Sequence, residues 1–321
     1  MGQAVAVLIP CFDEEATIAK VVADFRKALP EAMVYVYDNG SSDRTAVEAA
    51  RAGAVVRREP WRGKGRVVRR MFADVDADAY LLVDGDDTYA AEDGVRLLRR
   101  LADEHLDMVV GSRARTPGAY RSGHELGNAV LSRTVSLLFG ARFTDVLSGY
   151  RALSRRFVKS YAAVLSSGFE IETEINVHAL EMRVPVGEEP VAYAPRPAGS
   201  RSKLRTLQDG ARIALAILLL LEVVRPFLVF GSAFLVLSGG ATALALPIFR
   251  TYLETGLVPR FPTAILATGM MLLAFLSLAC GLILDSVSRG RRELKRLFYL
   301  AAGSEADHRV RDAAVGGSAR D

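Results

Sequence analysis

The sequence predicts an α/β domain with a mostly parallel sheet, continued by two membrane-crossing helices. Short apolar runs alternate with helix-period segments from residue 5 to residue 111, polar clusters follow the ends of those runs, and two later stretches of 24 residues carry no charge. Strands alternating with helices build a parallel sheet covered on both faces. Uncharged stretches of that length reach across the ~30 Å hydrocarbon core at ~1.5 Å rise per residue.

The elements follow in order. Val5 to Ile9 is a short apolar run ended by Pro10 and reads as a buried strand. Ala16 to Leu29 has helical periodicity through Ile18, Val21, Val22, Phe25 and Leu29. Met33 to Tyr37 alternates and stops at the turn signal Asp38-Asn39-Gly40. Ser42 or Asp43 can cap a helix to about Ala52. Ala54 to Val56 is a brief strand, Gly65 to Val75 a helix, and Tyr80 to Val83 a strand ending at Asp84. Asp93 to Glu104 is helical, and Met108 to Val110 is a strand before Gly111-Ser112-Arg113.

The uncharged stretches are Pro226 to Phe249 and Phe261 to Leu284. Buried core helices of this length nearly always carry charge on one face, which favours the membrane. Six basic residues lie from Arg196 to Arg225 against Asp209 and Glu222, and five more from Arg289 to Arg296 against Glu293. The connecting loop has only Arg250 and Arg260 against Glu254. The positive-inside rule then puts both termini in the cytoplasm of a cytoplasmic (inner) membrane, multi-pass arrangement. Two flanks suit helices in the headgroup plane, 204–225 and the basic segment 286–302, the second with a solvated tail as its alternative. The domain reading is therefore 1–203 for the cytoplasmic α/β domain, 204–225 and 286–302 interfacial, 226–249 and 261–284 spanning, and 303–321 a polar disordered tail.

The chain has 321 residues, a net charge of +4 and two cysteines, Cys11 and Cys280. Two distant cysteines make no disulfide framework and fit a reducing compartment. No zinc-finger spacing or aromatic–basic RNA-binding run occurs, so nucleic acid is not an expected partner. Lipid or phosphate suits the basic balance better.

Acidic and basic clusters gather beyond the carboxyl ends of the predicted strands, where ligands bind in open parallel sheets. Asp84-Gly85-Asp86-Asp87 follows one strand. Carboxylates two apart can converge on a hard cation that shares its remaining ligands with phosphates; the alternative is a turn with capping aspartates. Asp38 can accept from a base or ribose, or close an Asx turn. Arg62-Gly63-Lys64-Gly65 offers backbone NH groups and the Lys64 ammonium at a helix start, without the spacing of a Walker A loop. His105, His124 and His178 have no metal spacing.

In this order the motifs resemble the family 2 glycosyltransferases of GT-A fold. Ile9-Pro10-Cys11-Phe12-Asp13-Glu14-Glu15 is similar to their opening motif, Asp38 to Thr45 to the second, Arg62 to Gly65 to the third, and Asp84-Gly85-Asp86 to the DxD-type metal motif. The resemblance covers about residues 5 to 205. Asp145-Val146-Leu147-Ser148-Gly149-Tyr150-Arg151 and Arg196-Pro197-Ala198-Gly199-Ser200-Arg201-Ser202-Lys203-Leu204 resemble signatures of the polyprenyl-phosphate branch, the dolichol-phosphate mannose synthases and their bacterial relatives, the latter with one extra residue before Ser202-Lys203.

The resemblance implies an inverting transfer of a hexose or derivative from a nucleotide-diphosphate sugar to polyprenyl phosphate. Pro10, Glu14, Asp38, Lys64, Asp84 and Gly85 are then the donor site, and Asp84 and Asp86 hold Mg²⁺ or Mn²⁺. Asp84, Asp86 and Arg151 are the expected catalytic residues, and Arg113, Ser132, Arg151, Arg196 and Lys203 the acceptor-phosphate ligands. Thr88 and Asn128 depart from the mannose synthases, which favours a UDP- over a GDP-linked donor; Asn39 stands where a second aspartate is common. An anionic acceptor needs no general base, and Glu170, Glu172 and Glu174 read as structural or acceptor-loop residues rather than bases. The lack of a Q-x-x-R-W motif counts against a processive polysaccharide synthase. Relatives in the membrane imply a homo-oligomer such as a tetramer, with Gly231, Gly239 and Gly240 permitting close helix packing. Transfer to a lipid headgroup hydroxyl and a non-catalytic membrane scaffold are the competing functions.

Overall fold

A computed structural model describes residues 4–113, 144–162, 171–195, 222 and 225–317. Within them the order is β1 (Val5–Cys11), α1 (Ile18–Ala28), β2 (Met33–Asp38), α2 (Thr45–Arg51), β3 (Val55–Arg58), α3 (Lys64–Asp74), β4 (Ala79–Leu82), α4 (Ala91–Asp103), β5 (Met108–Arg113), β6 (Arg151–Ser154), α5 (Arg155–Ala162), α6 (Ile171–Met182), β7 (Val186–Val191), α7 (Pro226–Thr255) and α8 (Phe261–Gly317). The strands form one sheet in the order β3-β2-β1-β4-β6-β5-β7. All neighbours are parallel except β6, which runs antiparallel to both β4 and β5. This is the expected GT-A-like α/β architecture.

The apolar runs fold as strands because both faces of the sheet are covered. Along β1, Val7, Ile9 and Cys11 join the core with Ile18, Val21, Val22 and Phe25 of α1 and Leu97 and Leu101 of α4. On α3, Val67, Val68, Met71 and Phe72 are buried, and the Phe72 ring meets Tyr80 and Tyr161 edge-on. α1 and α3 each bury a stripe at the three-to-four-residue spacing that the sequence shows.

Two strands were not predictable. β6 is only Arg-Ala-Leu-Ser, and β7 is Val-Gly-Glu-Glu-Pro-Val. Neither has the apolar or alternating pattern of a strand. β6 forms because the open edges of β4 and β5 accept it, with Arg151 opposite both Leu82 and Val110.

The helical unit is separate. Its helices are long and apolar enough to cross a membrane, the most apolar 18 residues within Pro226–Thr255 and Phe261–Gly303 having mean hydropathy 1.9 and 2.2. Gly256 closes α7 with φ of 69°, a left-handed conformation that glycine takes at little cost. The Phe234 and Phe275 rings pack at 5.8 Å, and Ser277 Oγ donates to the Phe230 carbonyl at 3.0 Å.

α8 continues beyond its apolar part. Residues 303–317, expected as a disordered tail, are helical. Alanine and arginine recur there without proline, so propensity permits the helix to run on. Residues from Leu294 onward belong to the α/β unit. Lys295 pairs with Glu181 at 2.6 Å, and the Tyr299 hydroxyl donates to the wholly buried Asp107 at 2.6 Å. Leu294, Leu297, Phe298 and Leu300 are exposed on the same segment. The segment expected to lie in the headgroup plane thus carries a protein-facing stripe as well. The other expected interfacial helix, 204–225, lies almost wholly outside the described residues.

Candidate active site

The carboxyl ends of β1, β2 and β4 converge with the start of α3. Together they surround a cavity of about 400 Å³ lined by Pro10, Cys11, Phe12, Glu14, Asn39, Arg62, Gly63, Lys64, Val67, Asp84, Gly85 and Asp86. Parallel β1, β2 and β4 finish on one edge, so residues distant in sequence become neighbours. Pro10, Glu14, Lys64, Asp84, Gly85 and Asp86, expected from the sequence, all line it.

Backbone and side-chain bonds hold the loops in place. Thr17 Oγ1 donates to the Gly85 carbonyl at 2.7 Å, tying α1 to the acidic turn. Asp13 accepts from the Ser42 amide at 2.7 Å, and Thr45 Oγ1 accepts from the Glu14 amide at 2.8 Å. Asp43 accepts from the Thr45 amide at 2.9 Å just ahead of α2, whose N-cap position is Arg44. Gly63 has φ of 129°, a backbone region closed to side chains, and its amide donates to Asn39 Oδ1 at 2.7 Å.

Asn39 is a residue that sequence reasoning set aside. Its Nδ2 donates to the carbonyls of Glu59 at 3.0 Å and Trp61 at 2.8 Å. Three bonds therefore join the β2 turn to the segment from Glu59 to Gly63. Arg62 lies over the Phe12 ring, 4.4 Å from its centroid, forming one wall of the cavity. Asp38 does not line the cavity. It is buried, and its Oδ1 accepts from the Ser41 amide at 3.0 Å, which is the Asx-turn alternative.

The acidic turn presents two carboxylates. Asp86 is buried and accepts from Thr88 Oγ1 at 2.6 Å. Asp84 meets Lys64 Nζ at 2.5 Å, and the same ammonium meets Glu172 of α6 at 2.5 Å. Burial of Lys64 opposes its charge, but the Asp84 and Glu172 carboxylates outweigh it and raise the ammonium above its ordinary range. Burial, with Glu14, Asp84, Asp38 and Asp86 adding negative charge, pushes the Cys11 thiol well up. It stays a neutral thiol and is no nucleophile.

Two carboxylates on a strand-end turn are the donor set of a Mg²⁺ or Mn²⁺ that completes its shell with phosphate and water. Among the described residues no group of three or more His, Cys, Asp or Glu could hold a metal by itself. The residues fit a cation shared with a diphosphate rather than a protein-only cage.

Arg151 is committed to the protein itself. Its guanidinium is wholly buried. Nε donates to the Ser148 carbonyl at 2.9 Å, one terminal nitrogen to Asn176 Oδ1 at 2.8 Å, and the other to the Val146 carbonyl at 3.0 Å. Burial lowers its pKa to about 10, so it is charged at neutral pH but committed to protein acceptors. It holds the Asp145–Tyr150 loop and does not line the cavity. Arg113 does not line the cavity either; it clasps Asp145 with contacts of 2.6 and 2.7 Å and lies over Tyr193. Ser132, Arg196 and Lys203 lie outside the described residues, as does Glu170. Glu174 pairs with Arg69 at 2.6 Å and accepts from Tyr161, a structural position. Glu172 reaches the cavity lysine, which its sequence context does not signal.

Comparisons with known proteins agree with this fold. The family model described as Glycosyl transferase family 2 matches residues 6–161. The glycosyltransferase AglJ of Haloferax volcanii is 36% identical over 78% of this chain and 82% of that protein. A dolichyl-phosphate hexose transferase of the same organism is 29% identical over 66% of this chain and 91% of its own. The fold is shared with glucosyl-3-phosphoglycerate synthase of Mycobacterium tuberculosis, solved with Mn²⁺, UDP-glucose and phosphoglyceric acid, at TM-score 0.55, with 23% identity over 69% of this chain and 79% of that one.

Proposed function

Because the chain belongs to the family 2 glycosyltransferases, we propose that it moves a hexose from a nucleotide-diphosphate sugar, UDP- rather than GDP-linked, onto polyprenyl phosphate at the cytoplasmic face of a membrane. The observation that carries this is the pair Asp84 and Asp86 beside Lys64 in one cavity, in a chain with two helices long enough to cross a bilayer. The similarity to a dolichyl-phosphate hexose transferase supports the lipid phosphate as acceptor.

Asp84 and Asp86 hold Mg²⁺ or Mn²⁺, which when bound offsets charge on the leaving diphosphate. Thr88 fixes the Asp86 carboxylate, and Lys64 turns from Asp84 toward the donor phosphates. A phosphate oxygen of the acceptor attacks the anomeric carbon as its bond to the β-phosphate oxygen breaks, with inversion and release of the nucleoside diphosphate. The attacking oxygen is already anionic, so no proton need be removed. Arg113, Ser132, Arg196 and Lys203 remain the assignment for the acceptor phosphate. Both termini lie in the cytoplasm, and the chain forms a homo-oligomer through its apolar helices.

Glu172 favours one second reading. A carboxylate bonded to the cavity lysine is placed to take a proton from a hydroxyl acceptor, such as a lipid headgroup. Purified protein in detergent, given labelled UDP-hexoses and a divalent cation, separates the two. Product formed with polyprenyl phosphate but not with hydroxyl lipids supports the first reading, and the reverse supports the second. Neither product nor donor hydrolysis with any nucleotide sugar leaves a non-catalytic scaffold.

A further inference from the structure

The backbone of Gly149 lies directly against the carboxylate of Asp84. β6 runs antiparallel to β4 with Leu82 opposite Arg151. That register, continued past the strand ends, brings Tyr150 opposite Val83 and Gly149 opposite Asp84. A Cβ on Gly149 would stand 3.0 Å from Asp84 Cγ and 3.1 Å from Oδ1, and closer still to Oδ2. Gly149 has no positive φ, so its conformation does not call for glycine. The neighbouring carboxylate does.

The loop cannot retreat to make room. Arg151 grips the Val146 and Ser148 carbonyls from beneath. Ser148 Oγ donates to the Gly111 carbonyl at 2.6 Å, and the Gly111 amide donates to the Tyr150 carbonyl at 2.9 Å. The Tyr150 hydroxyl donates to the Ala90 carbonyl at 2.9 Å. On its other side Asp84 meets Lys64 at 2.5 Å. The carboxylate is held between an ammonium and a bare Cα.

We propose that Gly149 is a positioning residue: its missing side chain lets the Asp145–Arg151 loop press against Asp84 and fix that carboxylate for the divalent cation. The proposal rests on the cation assignment to Asp84 and Asp86. It gives the loop a role at the donor side of the site, through contact with a ligand rather than with the acceptor.

The test uses the full chain in detergent, with Mn²⁺ binding followed by electron paramagnetic resonance in the presence of UDP. Outer-shell changes typically weaken a metal by about 10- to 100-fold, and Gly149→Ala is expected to fall in that range. UDP binding without metal should stay as in the wild type, a separation that general damage would not produce. In an Asp84→Asn background, Gly149→Ala should have no further effect on Mn²⁺. Wild-type Mn²⁺ affinity in Gly149→Ala overturns the proposal. Absence of Mn²⁺ binding in the wild type itself overturns the cation assignment and the proposal together. If Gly149→Ala lowers the melting midpoint, adding Asp84→Ala removes the colliding group: recovery of the midpoint supports the contact, and no recovery overturns it.

Discussion

Lys64 Nζ stands 2.5 Å from an oxygen of Asp84, one of the two carboxylates assigned to the cation. The contact places a protein cation beside a carboxylate that the metal would share. Glu172, also at 2.5 Å from the ammonium, offers it a second resting partner once Asp84 is engaged. Lys64 can therefore exchange one carboxylate for donor phosphates without being stranded.

Replacing Lys64 by Ala should weaken nucleotide-sugar binding. Hydrogen bonds to charged groups contribute about 1.5–3 kcal/mol, or roughly 10- to 100-fold in affinity. Isothermal titration with the donor nucleotide measures it. Unchanged affinity would remove Lys64 from the donor site.

Arg151 is expected to act through stability. Arg151→Met leaves the Ser148 carbonyl and Asn176 Oδ1 without the guanidinium, while the Val146 carbonyl keeps Asn176 Nδ2 at 2.8 Å, and each buried unpaired group costs about 1–3 kcal/mol. The melting midpoint should fall steeply, and any activity loss should follow the folded fraction. A variant that folds as the wild type yet loses transfer would restore the catalytic assignment.

His178 should make the fold acid-sensitive. Burial, with Lys295 nearby, lowers its pKa from 6.5 to about 3, and its Nε2 meets Ser160 Oγ at 2.9 Å. The unfolded chain binds a proton below pH 6.5 that the folded chain does not. This contribution is complete above pH 6.5 and is lost as pH falls toward 3. At pH 5.5 the loss is about 1.4 kcal/mol. Denaturant midpoints at pH 7.5 and 5.5 should converge in His178→Gln more than in the wild type; equal slopes in both would exclude His178 as the source.

Much of the α/β order was legible because β1, β2, β4 and β5 are apolar runs closed by turn signals. Their acidic and basic followers had to share an edge, and Glu14, Lys64, Asp84 and Asp86 do. The burial of Arg151 was not legible, because its signature and its charge both suit phosphate. Its burial follows from β6 entering between β4 and β5, a pairing that four residues headed by arginine do not announce. Asn39 and Glu172 were equally hidden: their contacts join segments 24 and 108 residues apart, and only the sheet order brings these together. The helical run of 303–317 was missed because a polar, glycine-bearing composition was read as a tail, although no proline interrupts it and its alanines and arginines favour helix.

The most direct test is transfer of labelled hexose to polyprenyl phosphate by the purified full chain, compared with Asp86→Ala. Losing one ligand of a cation that supplies several kcal/mol at the leaving group should reduce the rate by about a thousandfold or more, with folding and membrane insertion intact. Metal-dependent product in the wild type and its collapse in Asp86→Ala is the predicted result. Wild-type turnover in Asp86→Ala, or undiminished transfer after chelation, would contradict the account.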